Sequence, residues 1–140
     1  MTKLLLAEDN EFSRDMLMRR LQRQGFEVTT AANGREAIAA VRRDHPDLIL
    51  MDLDMPVMDG YAAMRALKSD PRTFRIPIIV VSAHASPEDV AEALASGCQA
   101  FEAKPLVLRR LLDRIEETLG NRPTSGPNAP TTPEDPVPAP

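Results

Sequence analysis

LILM, residues 48–51, followed at once by Asp52-Leu53-Asp54, decides the fold class. Four apolar side chains in a row leave no polar face, so the stretch suits a strand covered on both sides, as in parallel sheets packed between helices. IIVVS (residues 78–82) reads the same way, and KLLLA (3–7), EVTTA (27–31) and AFEA (100–103) supply three more strand candidates. Between them Leu17 and Leu21, Ala37 and Val41, Met64 and Leu67, and Val90 and Leu94 keep the spacing of one helical face. Leu108, Leu111, Leu112, Ile115 and Leu119 form the longest such stripe, with Gly120 expected to stop it. The alternation predicts a (βα)5 chain, an α/β fold with a doubly wound five-stranded parallel sheet.

Working outward from Asp52, chemistry-bearing residues recur where strands should end: Glu8 and Asp9 after the first, Ser82 closing the fourth, Lys104 after the fifth. In an open parallel sheet these ends share one crevice. Three carboxylates there repel one another unless a cation joins them, and a hard divalent ion takes oxygen ligands readily. Mg²⁺ (or Mn²⁺) together with the Lys104 ammonium is the natural complement. A carboxylate in such company can accept a phosphoryl group, whose charge the cations neutralise, and Asp52 is the candidate acceptor.

Composition narrows the classes. The 140 residues suffice for one domain with a real core. A net charge of -4 argues against a surface that binds nucleic acid directly, since that wants a basic face. Cys98 is the only cysteine, which excludes an intramolecular disulfide. The apolar stretch at residues 4–7 is too short for a signal peptide or membrane span, so a cytoplasmic location without membrane contact is expected. Seven of the 13 prolines fall in the last 21 residues, so residues 1–119 are expected to fold and residues 120–140 to form a Pro-rich disordered tail.

The stretches LLLAEDNEFSR, DLILMDLDMPVMDGYAAMRALK, IPIIVVSAH and FEAKPL resemble, in order and spacing, the receiver domains of two-component response regulators, from about Lys3 to Leu119. The resemblance implies a flavodoxin-like sheet of order 2-1-3-4-5 and phosphorylation of Asp52 by a sensor histidine kinase or histidine phosphotransfer protein. Glu8, Asp9, Asp52 and the backbone carbonyl of Asp54 would serve the metal, Glu8 directly or through water. Lys104 and Ser82 would meet phosphoryl oxygens, Phe101 would switch with Ser82, and the Lys104–Pro105 peptide would be cis. Output would pass through helix 4, strand 5 and helix 5 to another protein, making the chain a signalling phosphoacceptor in a phosphorelay rather than an enzyme in the ordinary sense.

Each residue also has a plainer reading. Glu8 and Asp9 beside Asn10 suit a helix start, Ser82 a strand end, Lys104 a surface, and Phe101 a core. Asp52 is harder to dismiss, because a carboxylate after LILM costs free energy at a buried strand end unless hydrated, paired or metal-bound. His45 and His84 read as surface residues, and Cys98 as structural. Asp52-Leu53-Asp54 also suggests an aspartate-nucleophile phosphatase of the haloacid dehalogenase type, in which the second aspartate is the general acid, but Pro56 and the early acidic pair depart from that pattern. A receiver-shaped binding module that is never phosphorylated is the third reading. Asp54, an extra carboxylate near the acceptor, and Ser82, where threonine is commoner in receivers, bear on phosphoryl lifetime and switching.

Overall fold

A computed structural model describes residues 1–121; residues 122–140, which make up most of the proposed tail, lie outside the described residues. Strands and helices alternate: β1 Lys3–Ala7, α1 Glu11–Arg23, β2 Glu27–Ala31, α2 Gly34–Asp44, β3 Leu48–Asp52, α3 Gly60–Lys68, β4 Ile78–Ser82, α4 Pro87–Ala95, β5 Ala100–Ala103 and α5 Leu108–Asn121. The five strands pair in parallel in the order β2-β1-β3-β4-β5. The chain builds outward from β1 to β2 and then returns to place β3 on the other side of β1. That reversal opens a crevice beyond the C-terminal ends of β1 and β3, where ligands of open α/β sheets bind.

The two-residue period of the strands sorts the core into two layers. Leu5, Ile49, Met51, Ile78 and Val80 face Ala37 and Val41 of α2, Met64 and Leu67 of α3, and Ala93 of α4. Leu4, Leu6, Leu48, Leu50 and Ile79 face Leu21 of α1 and Leu111 and Ile115 of α5. Every residue of β3 and β4 is buried, which is why neither strand shows a polar alternation.

Helix starts are locally encoded. Asn10, Asn33, Asp59 and Ser86 each accept a hydrogen bond from the backbone amide three residues on, satisfying one of the unpaired donors of α1, α2, α3 and α4, at about 1 kcal/mol each. Two details depart from the sequence reading. Leu94 is 48% exposed, and Ala93 is the buried residue of α4, so this helix meets the sheet along a narrower strip than α3 of the same length, which buries Gly60, Ala63, Met64 and Leu67. Gly120 does not stop α5, which runs to Asn121; a glycine in the last turn has open space around it and interrupts nothing.

Candidate functional site

The site forms where β1, β3, β4 and β5 end. Asn10 caps α1, so Glu8 and Asp9 stand outside that helix rather than serving as its start. Glu8 is held firmly: its backbone amide donates to the Ala31 carbonyl at 2.9 Å, its carbonyl accepts from Arg14 Nη1 at 2.9 Å, and its Oε2 accepts the Asn10 amide at 3.1 Å. Asp52 is the last residue of β3, and its Oδ1 accepts the Asp54 amide at 3.0 Å. Glu8, Asp9 and Asp52 each present a carboxylate oxygen within 4.8 Å of the others, with Glu8 and Asp52 buried and Asp9 exposed.

Lys104, in the loop after β5, reaches across the sheet. Its Nζ donates to Glu8 Oε1 at 2.9 Å and to Asp52 Oδ2 at 3.0 Å. Its backbone amide donates to the Ser82 carbonyl at 2.8 Å, and the Lys104–Pro105 peptide is cis. Burial disfavours the ammonium, but the hydrogen bonds and charges of Glu8 and Asp52 outweigh that cost, and its pKa lies above the ordinary lysine value. Two buried carboxylates share this one cation, and Asp9 adds a third formal negative charge. Oxygen ligands at about 2.1 Å from a small ion sit roughly 3–4 Å apart around an octahedron, so a hard divalent cation fits these three carboxylates with little adjustment.

Ser82 ends β4 beside Asp52, buried, and its Oγ accepts the His84 amide at 3.0 Å. Phe101 is half-buried against the core layer that faces α2, α3 and α4. The Asp54 carboxylate is not one of the clustered three; its Oδ2 lies 2.9 Å from His84 Nδ1 with both side chains largely exposed. Nothing in the spacing of residues 54 and 84 signals this pair, and His84 reads as an isolated surface residue until the β3 and β4 ends are brought together. His45 is exposed at the left-handed end of α2, away from the cluster. Burial pushes the Cys98 thiol up to about 11, in keeping with a structural cysteine.

The residues from Leu4 to Glu116 match the family model of the response regulator receiver domain. The chain belongs to the response regulator receiver family. Among similar receivers is the polar-differentiation response regulator DivK of Brucella ovis, 34% identical over 122 residues, covering 86% of this chain and 99% of DivK. The solved chemotaxis protein CheY4 of Vibrio cholerae is 34% identical with a TM-score of 0.80, covering 84% of this chain and 98% of that one. The receiver domain of the sensor histidine kinase PA1611 from Pseudomonas aeruginosa, solved with a magnesium ion coordinated in its active-site cleft, is 32% identical with a TM-score of 0.80 over 86% of this chain and 98% of that one. This receiver thus has the flavodoxin-like fold and the response-regulator class of two-component signalling. Among its described residues, no helix is long and apolar enough to cross a membrane.

Proposed function

We propose that Asp52 accepts a phosphoryl group from a phosphohistidine on a sensor histidine kinase or histidine phosphotransfer protein, with Mg²⁺ (or Mn²⁺) bound, and that the chain acts as a cytoplasmic switch. The observation that carries this reading is the meeting of Glu8, Asp9 and Asp52 with the Lys104 ammonium at the strand ends. Glu8, Asp9, Asp52 and the Asp54 backbone carbonyl would hold the ion, which supplies charge neutralisation for the phosphoryl oxygens. An Asp52 carboxylate oxygen forms the new O–P bond as the P–N bond of the phosphohistidine breaks and its electron pair returns to the imidazole. Lys104 already lies against Asp52 and pairs with a phosphoryl oxygen once the acceptor is loaded.

Ser82 Oγ accepts the His84 amide and keeps its own proton to donate to a phosphoryl oxygen. Movement of Ser82 is thereby tied to the β4–α4 loop, and Phe101, packed at the edge of the core, would turn inward with it. Both motions bias α4, β5 and α5, whose exposed Leu94 and neighbouring Val107 offer apolar contacts to a downstream protein. Incubation with acetyl phosphate and Mg²⁺ tests the reading: one alkali-labile phosphoryl group should appear, mapped by mass spectrometry to Asp52. Labelling elsewhere, or none, would overturn it.

The phosphatase reading gains no support, because the Asp54 carboxylate pairs with His84 and is not among the carboxylates grouped with Asp52. Asp54→Asn is expected to alter the lifetime of phospho-Asp52 by a few-fold, with no steady turnover of phosphomonoesters by either wild type or variant; multiple-turnover hydrolysis by wild type would reverse the assignment. We further assign the receiver domain to residues 1–121, through the end of α5 and so two residues past the boundary read from the sequence, and the rest of the chain to a dispensable tail. Cutting after Asn121, which spares the last turn of α5, should leave thermal stability and Asp52 labelling unchanged.

A further inference from the structure

Gly34 opens α2, and its amide donates to the Met58 carbonyl at 2.8 Å. Met58 belongs to the loop between β3 and α3 that begins directly after Asp52. The approach is so close that a Cβ on Gly34 would run into the Met58 carbonyl oxygen and lie 3.0 Å from both the Met58 carbonyl carbon and its Cγ. A carbonyl cannot swing aside as the tip of a side chain can, so an alanine here would displace the loop itself.

That loop has little slack. Its far end is closed by Gly60, whose amide donates to the Leu53 carbonyl at 3.0 Å and whose Cα sits where a Cβ would come within 2.7 Å of Leu53 Cα. Within it the Met58 amide donates to the Pro56 carbonyl at 2.7 Å, making a three-residue turn with Val57 at φ 69. A β-branched residue occupies that region only where its surroundings hold it there. The Gly34 amide is one such restraint. At the near end of the same loop, Asp54 donates its amide to Asp52 Oδ1.

We infer that Gly34 is a positioning residue for the phosphoryl-transfer site: by admitting the Met58 carbonyl against the first turn of α2, it sets the position of the β3–α3 loop and hence of the Asp54 backbone beside Asp52. This rests on the receiver reading above, in which the Asp54 carbonyl serves the metal. Displacing the loop should lower Mg²⁺ affinity about 10-fold, the scale at which supports behind metal ligands act.

Mg²⁺ titration by calorimetry and amide hydrogen exchange across residues 53–60, on wild type, Gly34→Ala and Gly25→Ala, test this. Gly25 lies in the turn before β2 at φ 97 with no atom near its missing Cβ, so alanine there strains the backbone without touching the loop. Both variants should melt earlier than wild type, but only Gly34→Ala should bind Mg²⁺ more weakly and exchange faster at the Met58 and Gly60 amides. Adding Val57→Gly, which lets the turn absorb the displacement, should restore most of the lost affinity. If Gly34→Ala alone does not fold, the double variant carries the comparison. Wild-type affinity and loop protection in Gly34→Ala, or a double variant that also fails to fold, would overturn the inference. A wild type that binds no Mg²⁺ would instead bring down the proposed metal-dependent phosphoryl transfer, and loop exchange would still decide what Gly34 does.

Discussion

Asp52→Asn should abolish labelling by acetyl phosphate while making the metal-free protein more stable. The first effect follows from the chemistry, since an amide oxygen has neither the charge nor the nucleophilicity of a carboxylate. The second follows from crowding: Glu8 and Asp52 are both buried and share one ammonium, with Asp9 close by. Neutralising one of them relieves repulsion, and asparagine can still accept a hydrogen bond from Lys104 Nζ. A gain of about 1 kcal/mol in Mg²⁺-free denaturant unfolding is expected, shrinking or reversing when Mg²⁺ is added to both proteins. Residual labelling of the variant at the wild-type level would remove Asp52 from the acceptor role.

Lys104→Ala should act in the opposite sense on the metal-free protein. Removing the ammonium leaves two buried carboxylates without their cation, and breaking such a cluster from one side costs several kcal/mol where both groups are dry. The Lys104 side chain is 29% exposed, so water can partly take its place and a loss of about 2–3 kcal/mol is expected. Saturating Mg²⁺ should return part of this, because it supplies the missing positive charge. Combining Lys104→Ala with Asp52→Asn should cost less than the sum of the two separate effects, and a double-mutant cycle measures that coupling. Strict additivity would mean the lysine does not balance Asp52.

The sheet was legible because its strands carry their own signature. LILM and IIVVS are buried on both faces and show it as unbroken apolar runs, whereas the caps Asn33, Asp59 and Ser86 emerge only from the structure. Glu8, Asp9, Asp52 and Lys104 were legible for a related reason: each follows an apolar run, and parallel topology sends all such positions to one end. Contacts made by folding alone left no trace in spacing. Glu102 looks like an exposed residue of a short strand, yet it is buried and accepts from Arg114 Nε at 2.9 Å. His84 meets Asp54 only because β3 and β4 are neighbours, and Gly34 meets Met58 only because α2 packs against the loop that follows β3. Leu94 misled because helical spacing identifies a face without saying how wide a strip of it the sheet covers.

The Lys104 contacts also order events in time. Lys104 is 52 residues later in the chain than Asp52 and 96 later than Glu8. A ribosome adding about 5–20 residues per second therefore completes the acceptor strand roughly 3–10 s before it delivers the lysine. Until then the nascent chain carries two carboxylates at its strand ends with no ammonium to balance them, and β5 is not yet there to close the sheet. Asp52 is consequently synthesised near the middle of the domain but meets its balancing cation only near the end, so a chain terminated before Lys104 would hold the aspartate in an incomplete site.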